Sequence, residues 1–234
     1  MIVRPADAGG LLITQPDHAH LAGRIMEDCV PLAARPRRDA ILHAIGEHDN
    51  GWAEDDAAPT LDPDTGFVAD FVHAPLRVRQ TVWPRAVARL ADDPWAAALV
   101  AHHAVTVYER FRSEPEWTSF FAEMEAARGT MLRASGKSLE DLLPDYVFVR
   151  LGDLISLTFC AGWTQEQRFS GWSVHLSEAR VIVTPDAFGG RVIPIEITAR
   201  EIRCQPTGST ADLRRALDGA ITRTLRGDVA SGPS

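Results

Sequence analysis

A chain of 234 residues, 45% hydrophobic and 24% charged, is long enough for one sizeable core, or for a main domain with a small appendage. Its formal net charge of −8 argues against a sequence-independent grip on nucleic acid, which needs clustered Lys and Arg, and against an anionic membrane surface. No run approaches the roughly 20 apolar residues of a transmembrane helix, and Met1 to Gln15 lacks the charged, apolar and small-residue succession of a signal peptide, so a cytoplasmic protein is expected.

In chain order, "GGLLIT" at Gly9 to Thr14 reads as a strand or an extended lead-in. Helical spacing begins near Asp17, an expected N-cap, and runs through Leu21, Ile25 and Met26 toward Cys29, with Pro31 and Pro36 closing it. A second helix is expected from about Arg38 to Glu47, since Ile41, Leu42 and Ile45 share a face and Gly51 supplies a stop. The stretch from Ala53 to Gly66 is a polar connection rich in Pro and Asp. Further helices are expected at about Leu76 to Leu90, Pro94 to Phe111 and Glu116 to Ala134. Another should begin after Pro144 and carry "YVFVRLGDLISLTFC", apolar enough to be buried on most sides.

After Gly162 the period changes. From Trp172 to Arg203 alternation and β-branched residues predict several antiparallel strands, with turn chemistry at Asp186 to Gly190. A last helix from Thr210 to about Leu225 and a small polar tail complete the reading. The expected fold is mainly α: a helical metal-binding domain over residues 1–164, and a small antiparallel β-rich appendage with a terminal helix over residues 165–234, packed on the first as one unit.

Cys29, Cys160 and Cys204 are odd in number and far apart, so neither a disulfide framework nor a Cys-x-x-Cys zinc site is indicated. A metal would have to rely on His and carboxylate. His18 stands at the start of the first helix, His48 and Asp49 are adjacent, His73 follows "DFV", and His102 and His103 sit in an Ala, Leu and Val helix. Asp153 lies deep in an apolar run, where an unpaired carboxylate would cost several kcal/mol or protonate. A metal would be a suitable partner for it; Arg150 is the alternative. A lone histidine on an apolar helix is usually a packed, hydrogen-bonded residue, and His20 and His43 are read that way. The Glu54, Asp55 and Asp56 cluster is more often a solvated loop than a ligand set.

The order of these residues resembles the HD-domain superfamily of metal-dependent enzymes. The step from His18 to Leu21 and Ala22 in "HAHLAGRI" is similar to its first motif, "EHDNGW" to its second and "GDLISL" to its last, while His73 and His102 or His103 resemble the additional histidines of dinuclear members. A helix turns only one of His102 and His103 toward a given point, because neighbours diverge by about 100°; His103 is preferred. Over nearly its whole length the chain also resembles a bacterial family of unknown function marked by "HDNGW", "P-x-L-D" and "D-x-x-S-L" signatures.

The resemblance implies one or two divalent transition-metal ions, Fe, Mn, Ni, Co or Zn. His18, His48 and Asp153 would hold one ion, His73 and His103 the other, with Asp49 as the shared ligand and expected catalytic residue. Gln15, Trp52, Asp56 and Asp70 would contact substrate or orient the ligands. The expected function is hydrolysis of a phosphoester of a small metabolite or nucleotide by a metal-activated water. The alternatives are a di-iron oxygenase like the myo-inositol oxygenase branch, and a non-catalytic metal- or ligand-binding domain. Lys137 is the only lysine, so a phosphate would need arginine; Arg77, Arg79, Arg150 and Arg168 are candidates. A small-molecule substrate is expected, with no nucleic acid or membrane partner; oligomeric state is left open, a homodimer among the options.

Overall fold

A computed structural model describes residues 1–6, 9–202 and 209–232. Five helices carry most of the core around the site: α1 (Gln15–Glu27), α3 (Arg38–Glu47), α5 (Leu76–Arg89), α6 (Pro94–Tyr108) and α8 (Leu139–Ala161). The short α2 (Val30–Ala33) and α4 (Ala53–Ala57) fill connections, and α7 (Thr118–Ala134) packs on α6. A 3-10 turn at Asn50–Trp52 joins α3 to α4.

Local chemistry explains the ends of these helices. Thr14 caps α1 by accepting from Asp17 N–H, so the cap lies three residues before the expected Asp17. Helix α8 starts well before Pro144, because Ser138 and Asp141 form a reciprocal capping box that nucleates it at Leu139. Gly162, at φ 74°, ends it in the left-handed conformation.

The expected helical bundle with a small C-terminal β appendage is overturned by a seven-stranded mixed sheet in the order β1-β2-β6-β7-β5-β4-β3. Its members are β1 (Ile2–Ala6), β2 (Gly9–Ile13), β3 (Gln167–Phe169), β4 (Trp172–Ser177), β5 (Arg180–Thr184), β6 (Ile193–Ile202) and β7 (Ile221–Ser231). Both ends of the chain enter it: β2 pairs with β6, and β7 lies between β6 and β5. The β5–β7 pair is parallel, and β7 stands where the sequence predicts the end of a helix and a polar tail. A terminal helix, α9 (Thr210–Asp218), stops short of Leu225, which stands in β7. Strand β7 escapes a reading by pattern because its first eight residues are not buried and show no alternation; backbone ladders on both sides hold it. Arg203 and Cys204 lie outside the described residues.

Strand β6 alternates as a half-buried strand should. Ile193, Ile195, Ile197 and Ala199 point inward, and the strand lies against α1. The sheet therefore backs the helix that carries His18.

Candidate metal centre

Four helices deliver five ionisable side chains to one buried point: His18 from α1, His48 and Asp49 from the end of α3, His103 from α6 and Asp153 from α8. All five are at most 5% exposed. Gly152 helps set this geometry, since a Cβ there would lie 2.9 Å from both Ile45 and Met26 side-chain atoms. Its absence lets α8 close onto α1 and α3 beside Asp153.

His18 Nε2 lies 3.2 Å from His48 Nε2, 3.3 Å from Asp49 Oδ2 and 3.4 Å from Asp153 Oδ1. His48 Nε2 lies 3.5 Å from Asp49 Oδ2 and 3.6 Å from Asp153 Oδ1. The His18, His48 and Asp49 atoms, 3.2 to 3.5 Å apart, form one group that an ion about 2.1 Å from each could bridge, the length of a transition-metal bond to imidazole nitrogen or carboxylate oxygen. His48, His103 and Asp153 form a second, overlapping group with ligand atoms within 4.8 Å of one another. These buried His and Asp groups can hold a metal ion.

The atoms behind the cluster fix which nitrogen faces it. His18 Nδ1 is 3.0 Å from Ser156 Oγ, which donates its own proton to the His18 carbonyl at 2.7 Å; the hydroxyl therefore accepts from Nδ1–H. His48 Nδ1–H donates to the Ile45 carbonyl at 2.7 Å. In the neutral imidazoles both Nε2 lone pairs then face each other, and two carboxylates adjoin them. Such an array needs a cation, either a metal or a proton.

The electrostatics agree. Burial opposes a charged His18, but bonds and charges from Asp153 and Asp49 outweigh it and raise its pKa to about 9. His48 is also raised: burial opposes, and Asp49 and Asp153 prevail. Asp49 is held below its usual range against burial by His48 and His18, and Asp153 well below it by Arg150, His18 and His48. Arg150 forms an ion pair with Asp153 Oδ2, leaving Oδ1 to face His18 and His48. Arg150, the alternative partner named for Asp153 from sequence, thus pairs with it, and the other carboxylate oxygen joins atoms that could hold a metal. His103 stays neutral, its pKa lowered to about 3 mainly by burial. Its Nε2 is 3.7 Å from Asp153 Oδ2 and its Nδ1 3.3 Å from the Tyr146 hydroxyl.

The remaining sequence candidates scatter. His102 turns away and packs its ring on Tyr146, with Arg128 2.8 Å from its Nδ1. His73 is 63% exposed at the side chain and bonded to Asp70 at 2.8 Å, outside both ligand groups. Asp56 is buried but accepts from the Met1 ammonium and from Gln15 N–H at 2.6 Å, tying the first strand to α1 rather than orienting an imidazole. Glu54 and Asp55 pair with Arg85 on α5, and Glu54 also with Arg89. His20 and His43 form exposed pairs with Glu47 and Asp93, not the packed contacts expected.

A cleft of about 450 Å³ opens on the cluster, lined by Gln15, Trp52, Arg79, Trp83, Arg150 and Phe169 among others, besides His18, Asp49, His103 and Asp153. Of the four arginines proposed for phosphate, Arg79 and Arg150 line it, whereas Arg77 and Arg168 do not. Trp163, Gln167 and Phe169 bring the β3 end of the sheet to its wall. Four of the residues that line it keep a buried side-chain atom without a hydrogen-bond partner, Gln15 Oε1, Trp52 Nε1, Arg79 Nε and Trp83 Nε1, and each such group costs on the order of 1–3 kcal/mol unless something binds it. Sequence reasoning missed Ser156 and Trp83. Ser156 stands three residues after Asp153 in the quoted "D-x-x-S-L" run, and Trp83 four after Arg79, so one-turn spacing was the available signal.

The fold and cluster thus define a mixed α/β protein with a buried His/Asp centre able to hold a metal. Residues 1–215 match the family described as "protein of unknown function (DUF3891)", and the chain belongs to that family. No curated protein and no solved structure gives a significant match. Among the described residues no helix is long and apolar enough to cross a membrane.

Proposed function

We propose that the protein is a cytoplasmic metal-dependent hydrolase of HD type, acting on a phosphoester of a small metabolite or nucleotide. The observation that carries this reading is the facing pair of His18 and His48 Nε2 atoms, 3.2 Å apart beside two carboxylates, with His18, Asp49 and Asp153 lining a cleft. The resemblance of the residue order to HD-type motifs supports it, and so does a cluster that, among the described residues, includes no cysteine, which favours a reactive over a structural site.

His18, His48, Asp49 and Asp153 would hold the ion, with His103 at its edge. When bound, the metal supplies a water of lowered pKa and a Lewis acid for the phosphoryl oxygens. The chain's own groups prepare that chemistry. Ser156 Oγ and the Ile45 carbonyl hold the Nδ1 protons of His18 and His48, so both Nε2 atoms stay free to ligate. Arg150 holds Asp153 by Oδ2. Phe71, Leu154 and Phe169 make part of the cleft wall apolar.

The dinuclear arrangement and the di-iron oxygenase reading rest partly on His73, and its exposed position beside Asp70 favours a mononuclear hydrolase over both. Elemental analysis of the purified protein, followed by a phosphoester and nucleotide panel with manganese, iron(II), nickel or cobalt, first anaerobic and then in air, tests the proposal. Metal-dependent phosphate release that is lost with Asp49→Ala is expected. Turnover only with iron and dioxygen would move the assignment to an oxygenase, and a metal-free protein inert under every condition would make it a binding module.

A further inference from the structure

Beside the metal ligands, the cleft wall built by α5 and the Asn50–Trp52 turn carries groups that the metal chemistry does not use. Arg79 and Trp83 stand one turn apart on α5, and both line the cleft. The Asn50–Trp52 turn abuts α5 because Gly51 has no side chain: a Cβ there would lie 1.9 Å from the Val82 carbonyl oxygen. Arg85 bonds the Gly51 carbonyl at 2.8 Å from the same helix. Trp52 is thereby carried to the wall that Trp83 occupies, and both indoles are at most 4% exposed.

Among the described residues Arg79 has no carboxylate partner. Its guanidinium rests over the rings of Phe111 and Trp117, 5.6 and 5.5 Å from their centroids, which hold it by cation–π attraction without cancelling its charge. Arg150, in the same cleft, is paired with Asp153. Trp83 acts on the Tyr108 hydroxyl, partly offsetting the rise that burial gives that phenol's pKa, yet the indole N–H makes no hydrogen bond of good geometry. The wall therefore offers one fixed cation and three buried N–H donors, on Arg79, Trp83 and Trp52, all without acceptors. An oxyanion with several lone-pair directions satisfies such a set, whereas a neutral group leaves the guanidinium uncompensated.

We propose that Arg79, Trp83 and Trp52 form an oxyanion subsite that receives the phosphoryl group of the substrate beside the metal ligands, an assignment whose choice of phosphate rests on the hydrolytic reading above. The subsite is a property of the chain alone, so it binds phosphate without metal.

The test is titration of inorganic phosphate into metal-depleted full-length protein, followed by 31P line broadening, with circular dichroism verifying that each variant remains folded. Saturable binding is expected. Arg79→Gln should weaken it at least tenfold, Arg79→Lys less, and Trp83→Phe several-fold, since phenylalanine keeps the ring and loses the N–H. Arg214→Gln, the same charge change on α9, should leave it unchanged. Absence of saturable binding, or equal binding by wild type, Arg79→Gln and Trp83→Phe, overturns the subsite. Phosphate binding that depends on Arg79, in a protein that hydrolyses no phosphoester, keeps the subsite and overturns the hydrolase. Turnover with KM unchanged in Arg79→Gln does the reverse.

Discussion

Gly51 lies so close to Val82 that a Cβ at position 51 would sit 1.9 Å from the Val82 carbonyl oxygen and 3.0 Å from Ala86 N. The obstacle is helix backbone, which cannot yield as a side-chain tip can. Gly51→Ala should therefore push the Asn50–Trp52 turn off α5 and destabilise the protein by on the order of 3 kcal/mol or more. Urea unfolding checks this, and a loss below about 1 kcal/mol would contradict it.

Ser156 should matter through His18. With Ser156→Ala the His18 Nδ1–H loses its acceptor, and the tautomer that directs Nε2 into the cluster is no longer favoured. Metal affinity should fall by roughly 10- to 100-fold, measured by competition with a chromogenic chelator. Ser156→Thr, which retains the hydroxyl, should recover part of it; equal affinity in wild type and Ser156→Ala would refute the role.

The raised pKa of His18 predicts opposite pH trends for the metal-free protein and for metal uptake. Its folded value, about 9, exceeds the ordinary 6.5. The stabilisation from protonated His18 is thus fully present below about pH 6.5 and lost as pH rises through about 9, an effect on the order of 3 kcal/mol. Metal binding displaces that proton, so apparent affinity should climb over the same window. Thermal unfolding of metal-free wild type against His18→Asn between pH 6 and 9.5 reads the first trend. A difference between the two that does not shrink with pH would contradict it.

His73→Ala should leave metal stoichiometry and affinity within about twofold of wild type, because the imidazole is exposed and bonded to Asp70. His103→Ala should weaken binding, since His103 is buried against Asp153. Isothermal titration with the metal that co-purifies distinguishes them. Loss of a second equivalent of metal in His73→Ala would restore the dinuclear arrangement.

Much of this architecture can be read along the chain because it is local. Residues Arg38–Glu47 and Ile193–Ile202 carry their period within a single element, and they form a helix and a strand as patterned. Turn geometry says only that one of His102 and His103 can face the site, and the neighbours decide which: α6 presents His103 to Asp153 and His102 to Arg128. The expected ligand role of His73 fails in the structure, since a loop has no period to say which way its side chain faces.

The amino-acid order by itself marked His18, His48, Asp49 and Asp153 as candidate ligands, set the period of the helices that carry them, and showed that alternation sets in after Gly162. Tertiary structure decided the rest. Strand β7, mostly exposed and without alternation, exists because β6 and β5 supply ladders from distant positions, and β2 joins β6 across nearly the whole chain. The meeting of His18 with Asp153, and of Trp52 with α5, depends on close approaches at Gly152 and Gly51. Side-chain period is written into neighbouring residues, whereas pairing partners and the distance between packed backbones are fixed only when the whole core closes.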